Sequence, residues 1–484
     1  MSNMNEAKNQ ETMKKPGGGP ASGAGKPGPG GPGGNPLGTA PIGPMLRKFA
    51  IPSIIAMMVG ALYNIVDQFF IGQYVGELGN AATNVAFPLS TITTALALFL
   101  GVGSASAFNL TRGRGDSEKS LYYVGNATVL LFGAGLTLCV VTELLLEPML
   151  IFFGSPDNVL PFAKEYVRVV ALGFPFLVFS NGGAHLVRAD GSPKYSMICN
   201  LSGAIINCVL DPLFIVGFDM GMTGAALATI IGQIAAAILA FKYFCNYKAG
   251  RLERRHLRVR KNIAGYIASL GIAQLCNHTA MMIVQIVMNN SLTYYGGQSM
   301  YGESIPLACA GIISKVSFVF FSVCIGISHG MQPIASFNYG AKQYGHVKDV
   351  LKLALTASCI VHVVTFCMFQ IFPRQIIGFF GDGSEMYFAF AVRYFRIYMF
   401  AMFLNGLQPM SSSFFTSIGK PMKGTFMSLT RQFIYLLPLL IIFPRLWGID
   451  GIMYAGPIAD TLAAITAFTL LRIEMKELNR LQNQ

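Results

Sequence analysis

Residues 195–216 read YSMICNLSGAIINCVLDPLFIV. The run is long and apolar enough to cross a bilayer as one helix, yet it carries Asp211 and, one turn earlier, Asn207. Residues 47–72, RKFAIPSIIAMMVGALYNIVDQFFIG, are built the same way around Asp67. A carboxylate in hydrocarbon is costly unless it is paired, hydrated or protonated. Two such residues point to the passage of an ion, a proton or a substrate. The plainer alternative is that they hydrogen-bond helix ends, and Pro212 directly after Asp211 gives that position a structural part as well.

The rest of the chain agrees with these two segments. Of 484 residues, 53% are hydrophobic and 12% charged, with a mean hydropathy of +0.52. Soluble domains carry about 25% charged residues, so this is a polytopic membrane protein. Twelve spans are expected, at 47–72, 84–110, 121–145, 162–187, 195–216, 222–244, 263–292, 306–338, 349–373, 386–416, 422–443 and 451–473. The net charge of +13 does not indicate nucleic acid, because the basic residues sit in short loops between spans. Alternate loops hold sixteen of them, from Arg112 to Lys423, against Arg374 and Arg445 on the other side. The positive-inside rule then predicts cytoplasmic termini. No GxxxxGK[ST] motif and no sizeable soluble region occur, which argues against an ATP-driven or enzymatic reading. The nine cysteines show no CxxC spacing and read as small apolar residues, not as metal ligands or disulfides.

The spans repeat. Phe108-Asn109 recurs as Phe337-Asn338, Phe153-Gly154 as Phe380-Gly381, Gly191-Ser192-Pro193 as Gly419-Lys420-Pro421, and GMTG at 221–224 as GIDG at 448–451. The offsets of 229, 227, 228 and 227 agree too closely for chance. The expected fold is all-α, with two six-helix bundles arranged as a parallel repeat around a central cavity. The expected divisions are a disordered Gly/Pro-rich tail at 1–44, an N-lobe at 45–244, a basic inter-lobe loop at 245–262, a C-lobe at 263–473 and a short tail at 474–484.

Helix arithmetic brings four oxygen-bearing side chains to one depth. Asp67 and Asp211 each fall about 7–8 Å inside the outer boundary, with Asn207 a turn deeper and Thr229 about 10 Å in. Such a set suits a hard cation such as Na⁺, or the carboxylates alone could exchange a proton. Asn64 shares a helix face with Asp67. In the C-half, Asp460, Lys315 and Arg431 lie within spans, and an ion pair of Asp460 with one of the two cations is expected. Span 7 carries a polar stripe, Gln274, Asn277, His278 and Gln285, which suits either a cavity lining or bonding between helices.

At this point the sequence resembles the multidrug and toxic compound extrusion (MATE) transporters, particularly their MepA/DinF-like branch. The resemblance covers about residues 40–475 and rests on FAIPSI (49–54), VDQFFIG (66–72), DGSPKYSM (190–197), NCVLDPLFI (207–215), GMTGAALAT (221–229) and GMQPIASFNYGAK (330–342). It implies an N-lobe and a C-lobe forming a V around a central cavity, and drug export driven by inward H⁺ or Na⁺ flow. Asp67, Asn207, Asp211 and Thr229 match the family's N-lobe cation or proton site, and Pro52 matches a proline used for bending. Some branches carry acidic coupling residues in spans 7 and 10. Span 7 has none here, which assigns coupling to the N-lobe. Expected substrates are lipophilic organic cations, received by a cavity including Met57, Asn64 and the span-7 stripe. The expected setting is a bacterial inner membrane, with lipids as neighbours, the protein as a monomer, and no nucleic acid, cofactor or metal beyond a coupling Na⁺. A flippase for a lipid-linked precursor in the same wider superfamily, or a receptor or scaffold without transport, are the alternatives.

Overall fold

The computed structural model describes residues 35–75, 77–153, 155, 157–302, 304–378 and 385–484. It is helical throughout the ordered elements. In the first half these are α1 (Pro36–Thr39), α2 (Ile42–Tyr74), α3 (Glu77–Gly113), α4 (Ser117–Leu144), α5 (Leu146–Phe152), α6 (Leu160–Ala171), α7 (Phe174–Ala189), α8 (Pro193–Pro212) and α9 (Gly221–Cys245). The linker holds α10 (Arg254–Leu257). The second half has α11 (Lys261–Gly297), α12 (Ser304–Gly340), α13 (Tyr344–Ile371), α14 (Pro373–Gly378), α15 (Glu385–Tyr398), α16 (Leu407–Ser417), α17 (Pro421–Leu429), α18 (Leu437–Trp447) and α19 (Ile449–Gln482).

Ten helices or helix runs are long and apolar enough to cross a membrane, and twelve do so when each of two bent pairs is taken as one span. Those pairs fall at the fourth and tenth expected spans, 162–187 and 386–416. Between α6 and α7 the chain turns by 55°, and between α15 and α16 by 41°. Pro175 follows Gly173 at the first bend, and Pro409 follows Gly406 at the second. Proline withholds one backbone donor and glycine gives up helical rigidity, so both spans yield at the same place in the repeat. The fifth and eleventh spans share another device. A π-helical stretch follows Pro212 at Leu213–Gly217, and a second, at Thr430–Leu436, joins α17 to α18. One recurrence, Phe380-Gly381, falls outside the described residues, as does Gly154 of its partner.

The expected N-terminal tail is shorter than the sequence suggests. Residues 35–44 are ordered: Asn35 caps α1, Leu37 is buried, and Asn338 donates to the Leu37 carbonyl at 2.8 Å. The remainder of that tail, 1–34, lies outside the described residues. At the other end α19 continues to Gln482, because Glu474 and Leu478 are buried beyond the apolar span and Glu474 is held by Lys420 and Lys423 at 2.5 and 2.7 Å.

The halves meet through exchanged ends. Leu37 of α1 and Met45, Leu46, Phe49 and Ala50 of α2 belong to a core made otherwise by the second half, including Ile327, Met331, Phe337, Val350 and Phe414. Reciprocally, Ile263, Ile267 and Leu270 of α11 sit in a core of the first half with Phe108, Val124, Leu186 and Tyr243. Glycine makes these crossings close. A Cβ on Gly330 would stand 2.6 Å from Cα of Ala50, and one on Gly326 would stand 2.5 Å from Cα of Ile54. Small residues of this kind let membrane helices approach to backbone contact. All these contacts fall in the half of the bundle nearest the chain termini. The linker is fastened there too, with Asn126 of α4 donating to the carbonyls of His256 and Arg258 and accepting from the Arg260 amide at 2.8 Å.

Candidate functional site

The end of the first half away from the termini brings together α2, α8 and α9. Asp67 is 9% exposed and Asp211 0%, and their carboxyls lie within hydrogen-bonding reach of each other. Asn207, one turn before Asp211, donates through Nδ2 to Asp211 Oδ1 at 3.2 Å and to Thr229 Oγ1 at 3.3 Å. The Thr229 hydroxyl is oriented by its own donation to the Ala225 carbonyl at 3.0 Å, which leaves its lone pairs toward Asn207. The four residues singled out from the sequence therefore form one cluster. Asp211 is the penultimate residue of α8, with only Pro212 between it and the π-helical stretch, which fits the common placement of such irregular turns at functional sites.

The unsatisfied atoms of the cluster are all oxygens. Asp67 Oδ1, Asp211 Oδ2 and Asn207 Oδ1 are buried without a hydrogen-bond partner among the described residues. Five acids are buried among those residues: Asp67, Asp190, Asp211, Asp460 and Glu474. Asp190 is paired with Arg112 at 3.2 Å, Asp460 with Arg431 at 2.5 Å, and Glu474 with Lys420 and Lys423. For Asp67 and Asp211 the structure describes no ion pair. Two carboxylates in contact in an apolar setting do not both remain charged without a proton or cation between them. The neighbouring carboxyl and amide oxygens are suitable ligands for a hard monovalent cation, and the carboxylate pair alone suffices for a proton.

Two aromatic residues of the site escape a reading of the sequence. The phenols of Tyr63 and Tyr166 lie within electrostatic range of both carboxyls. Tyr63 precedes Asp67 by four residues and so shares its helix face, a signal the spacing does carry. Tyr166 stands on α6 and reaches the site through the bend of the fourth span, which spacing does not reveal. Glu165, beside it, anchors this arm by accepting from the Thr223 amide at 3.2 Å and hydroxyl at 2.5 Å.

The remaining expected residues are distributed as follows. Pro52 is buried inside an unbroken α2, beside the seam with α12. Met57, Gln274, Asn277, His278 and Gln285 are half-buried. Asn277 donates to Met281 Sδ at 3.7 Å and Gln285 to Asn289 Oδ1 at 3.0 Å, so these described bonds stay within α11. The side chain of Asn64 is outside the described residues. In the second half Asp460 takes Arg431 as its partner, while Lys315 is exposed on α12. No group of three or more His, Cys, Asp or Glu residues suited to a metal occurs among the described residues.

Comparison with known proteins matches this architecture. The MatE family model matches twice, at residues 52–213 and 278–442, once in each half of the repeat. The chain belongs to the MatE family, and so is a multi-pass membrane transporter, not an enzyme. It is 25% identical to the multidrug export protein MepA of Staphylococcus aureus (strain MSSA476) over 435 residues, which is 89% of this chain and 94% of that protein. Among solved structures it is similar to the MATE multidrug transporter DinF-BH, at 29% identity and a TM-score of 0.83, covering 90% and 96% of the two chains. It also shares the fold of a MOP superfamily transporter from Pyrococcus furiosus, with a TM-score of 0.85 at 22% identity over 92% of this chain and 98% of the other.

Proposed function

We propose that this protein exports lipophilic, mostly cationic drugs from a bacterial cell in exchange for H⁺ or Na⁺, and that Asp67 and Asp211 bind the coupling ion. The observation that carries the proposal is the contrast among buried acids. Three hold a cationic side chain, and the two that touch one another have none described. A proton or Na⁺ would supply the missing positive charge, with Asn207 and Thr229 as neutral partners. A relative named for multidrug export and a similar structure of a multidrug transporter support the substrate class.

The connection to alternating access runs through α2. Its far end carries Asp67 against α8, while its near end is embedded in the core of the other half. A change of charge at the acid pair alters how the far end seats, and the near end transmits that change to the seam between the bundles. Pro52 lies between the two ends, where a missing backbone bond lowers the resistance to bending. With the termini in the cytoplasm, as the basic loops imply, the close seam is cytoplasmic.

Proteoliposomes preloaded with an ethidium-like dye test the proposal, with the proton and sodium gradients clamped separately. Dye movement should follow one of the gradients in the wild type and lose that dependence in Asp67→Asn and Asp211→Asn. Movement that ignores both gradients, or that is unchanged in both variants, would sink the coupling assignment.

A further inference from the structure

A second cluster of unsatisfied polar groups lies in the seam itself. His185 of α7 and His329 of α12 come from opposite halves, and their rings meet edge to face with centroids 4.7 Å apart. Each is 6% exposed. Arg188, one turn after His185 and 2% exposed, places Nη1 3.3 Å from His185 Nδ1 and donates Nη2 to Ser196 Oγ at 3.3 Å. Its Nε has no partner among the described residues, and the same holds for His329 Nδ1, Gln332 Nε2 and Ser328 Oγ on the facing helix.

The charges around this contact are all of one kind. The ionisable groups acting on His185 are His329 and Arg188, and the one acting on His329 is Arg188. From α8 the cluster receives Ser196, and from α12 it receives Ser328 and Gln332. On α3, which packs against both α7 and α12, the nearby cation Arg112 is paired to Asp190, and that carboxylate is further bonded by the Lys248 and Ala249 amides at 2.7 and 3.1 Å. On α2, which packs against α12, the facing residue is Ala50. The guanidinium is thus buried against neutral imidazole and hydroxyl, a tolerable arrangement only while the rings carry no proton charge. An imidazolium would set a second buried cation against Arg188 across the line where the halves part. Parting the halves hydrates both.

We propose that His185, His329 and Arg188 form a proton-sensitive latch, which keeps the seam shut while both rings are neutral and releases it when either takes up a proton. The latch is separate from the acid pair and requires only that the halves part here. A hydrated imidazole titrates near pH 6.5. Each ring that gains a proton on opening therefore raises the open-to-shut ratio by up to about tenfold per pH unit below that value.

The test is a distance measurement between spin labels at Lys119 in the first half and Asp349 in the second, both exposed, with the exposed Cys245 and Cys367 replaced by serine. In nanodiscs the long-distance population should grow as pH falls from about 8 to about 5.5. Introduced into the Asp67→Asn/Asp211→Asn protein, His185→Phe/His329→Phe, and His185→Gln/His329→Gln as a second neutral pair, should abolish the response. His329→Arg should show the long distance already at the higher pH. The Asp67→Asn/Asp211→Asn protein, from which any contribution of the acid pair has been removed, should still respond, and loss of the response there would assign it to the acid pair and overturn the latch. A wild type that does not respond, or a response surviving in both neutral histidine pairs, would overturn it equally.

Discussion

The two halves of this transporter share a plan, yet they treat a membrane-buried acid in opposite ways. In the second half Asp460 lies about 16 Å along α19 from its start, near mid-membrane, and is closed off by Arg431 from the π-helical stretch. In the first half Asp67 and Asp211 lie near one end of the bundle with no cationic partner described. Packing accounts for the absence of an Asp460–Arg431 counterpart in the first half. The repeat offset of 228 sets Gly203 opposite Arg431, and the offset of 227 sets Gln233 opposite Asp460. Gly203 lies against Gly232, where a Cβ would stand 3.0 Å from the Gly232 carbonyl oxygen. The first half has no room for an arginine where the second half keeps one. A buried acid with its own cation is a fixed element, and one without remains available to a mobile ion.

This contrast can be broken at several points. The largest effect is expected from Arg431→Met, which leaves Asp460 without its partner and should cost about 3–5 kcal/mol of stability. Arg431→Met/Asp460→Leu should recover most of that loss in detergent melts, and a double variant as unstable as the single one would deny that the pair is structural. Next comes Asp211→Asn, which should lower gradient-driven dye efflux about a hundredfold while changing the melting temperature little. That loss corresponds to about 2.7 kcal/mol. A smaller effect is expected from Asn207→Ala, which removes one neutral partner and should weaken coupling-ion affinity about tenfold, equivalent to one ordinary hydrogen bond. Titration of H⁺- or Na⁺-dependent efflux would measure it. The smallest is Lys315→Ala. Exposed on α12, this residue should shift stability by no more than about 0.5 kcal/mol, and a larger loss would revive it as a partner of Asp460.

Much of this molecule was legible in the chain. Asp67 and Asp211 stand out because hydrocarbon leaves them conspicuous, and counting 1.5 Å per residue sets them at similar depth. The repeat was visible because short glycine-rich turns recur at a nearly fixed offset. Depth does not give rotation about the helix axis, however. Lys315 and Arg431 were both credible partners for Asp460 by depth, and only packing turned one toward the acid and the other outward. Tyr166 was hidden for a related reason, since a 55° bend decides where its helix points. The seam histidines, His185 and His329, lie 144 positions apart and come together only through the docking of the two halves.

The exchanged ends also impose an order on biogenesis. The segment from Asn35 to Ala50 is made well before its core partners, which include Met331, Val350 and Phe414. A ribosome must therefore deliver nearly the whole second half before the first helix can seat its leading end. Until then Leu37, Met45, Leu46 and Phe49 have only lipid, the insertion machinery or a chaperone to cover them. A chain cut in the linker would release a first half with that end still unseated. Restoring transport from two separately expressed halves would then depend on their meeting in the same membrane while the segment remains uncommitted.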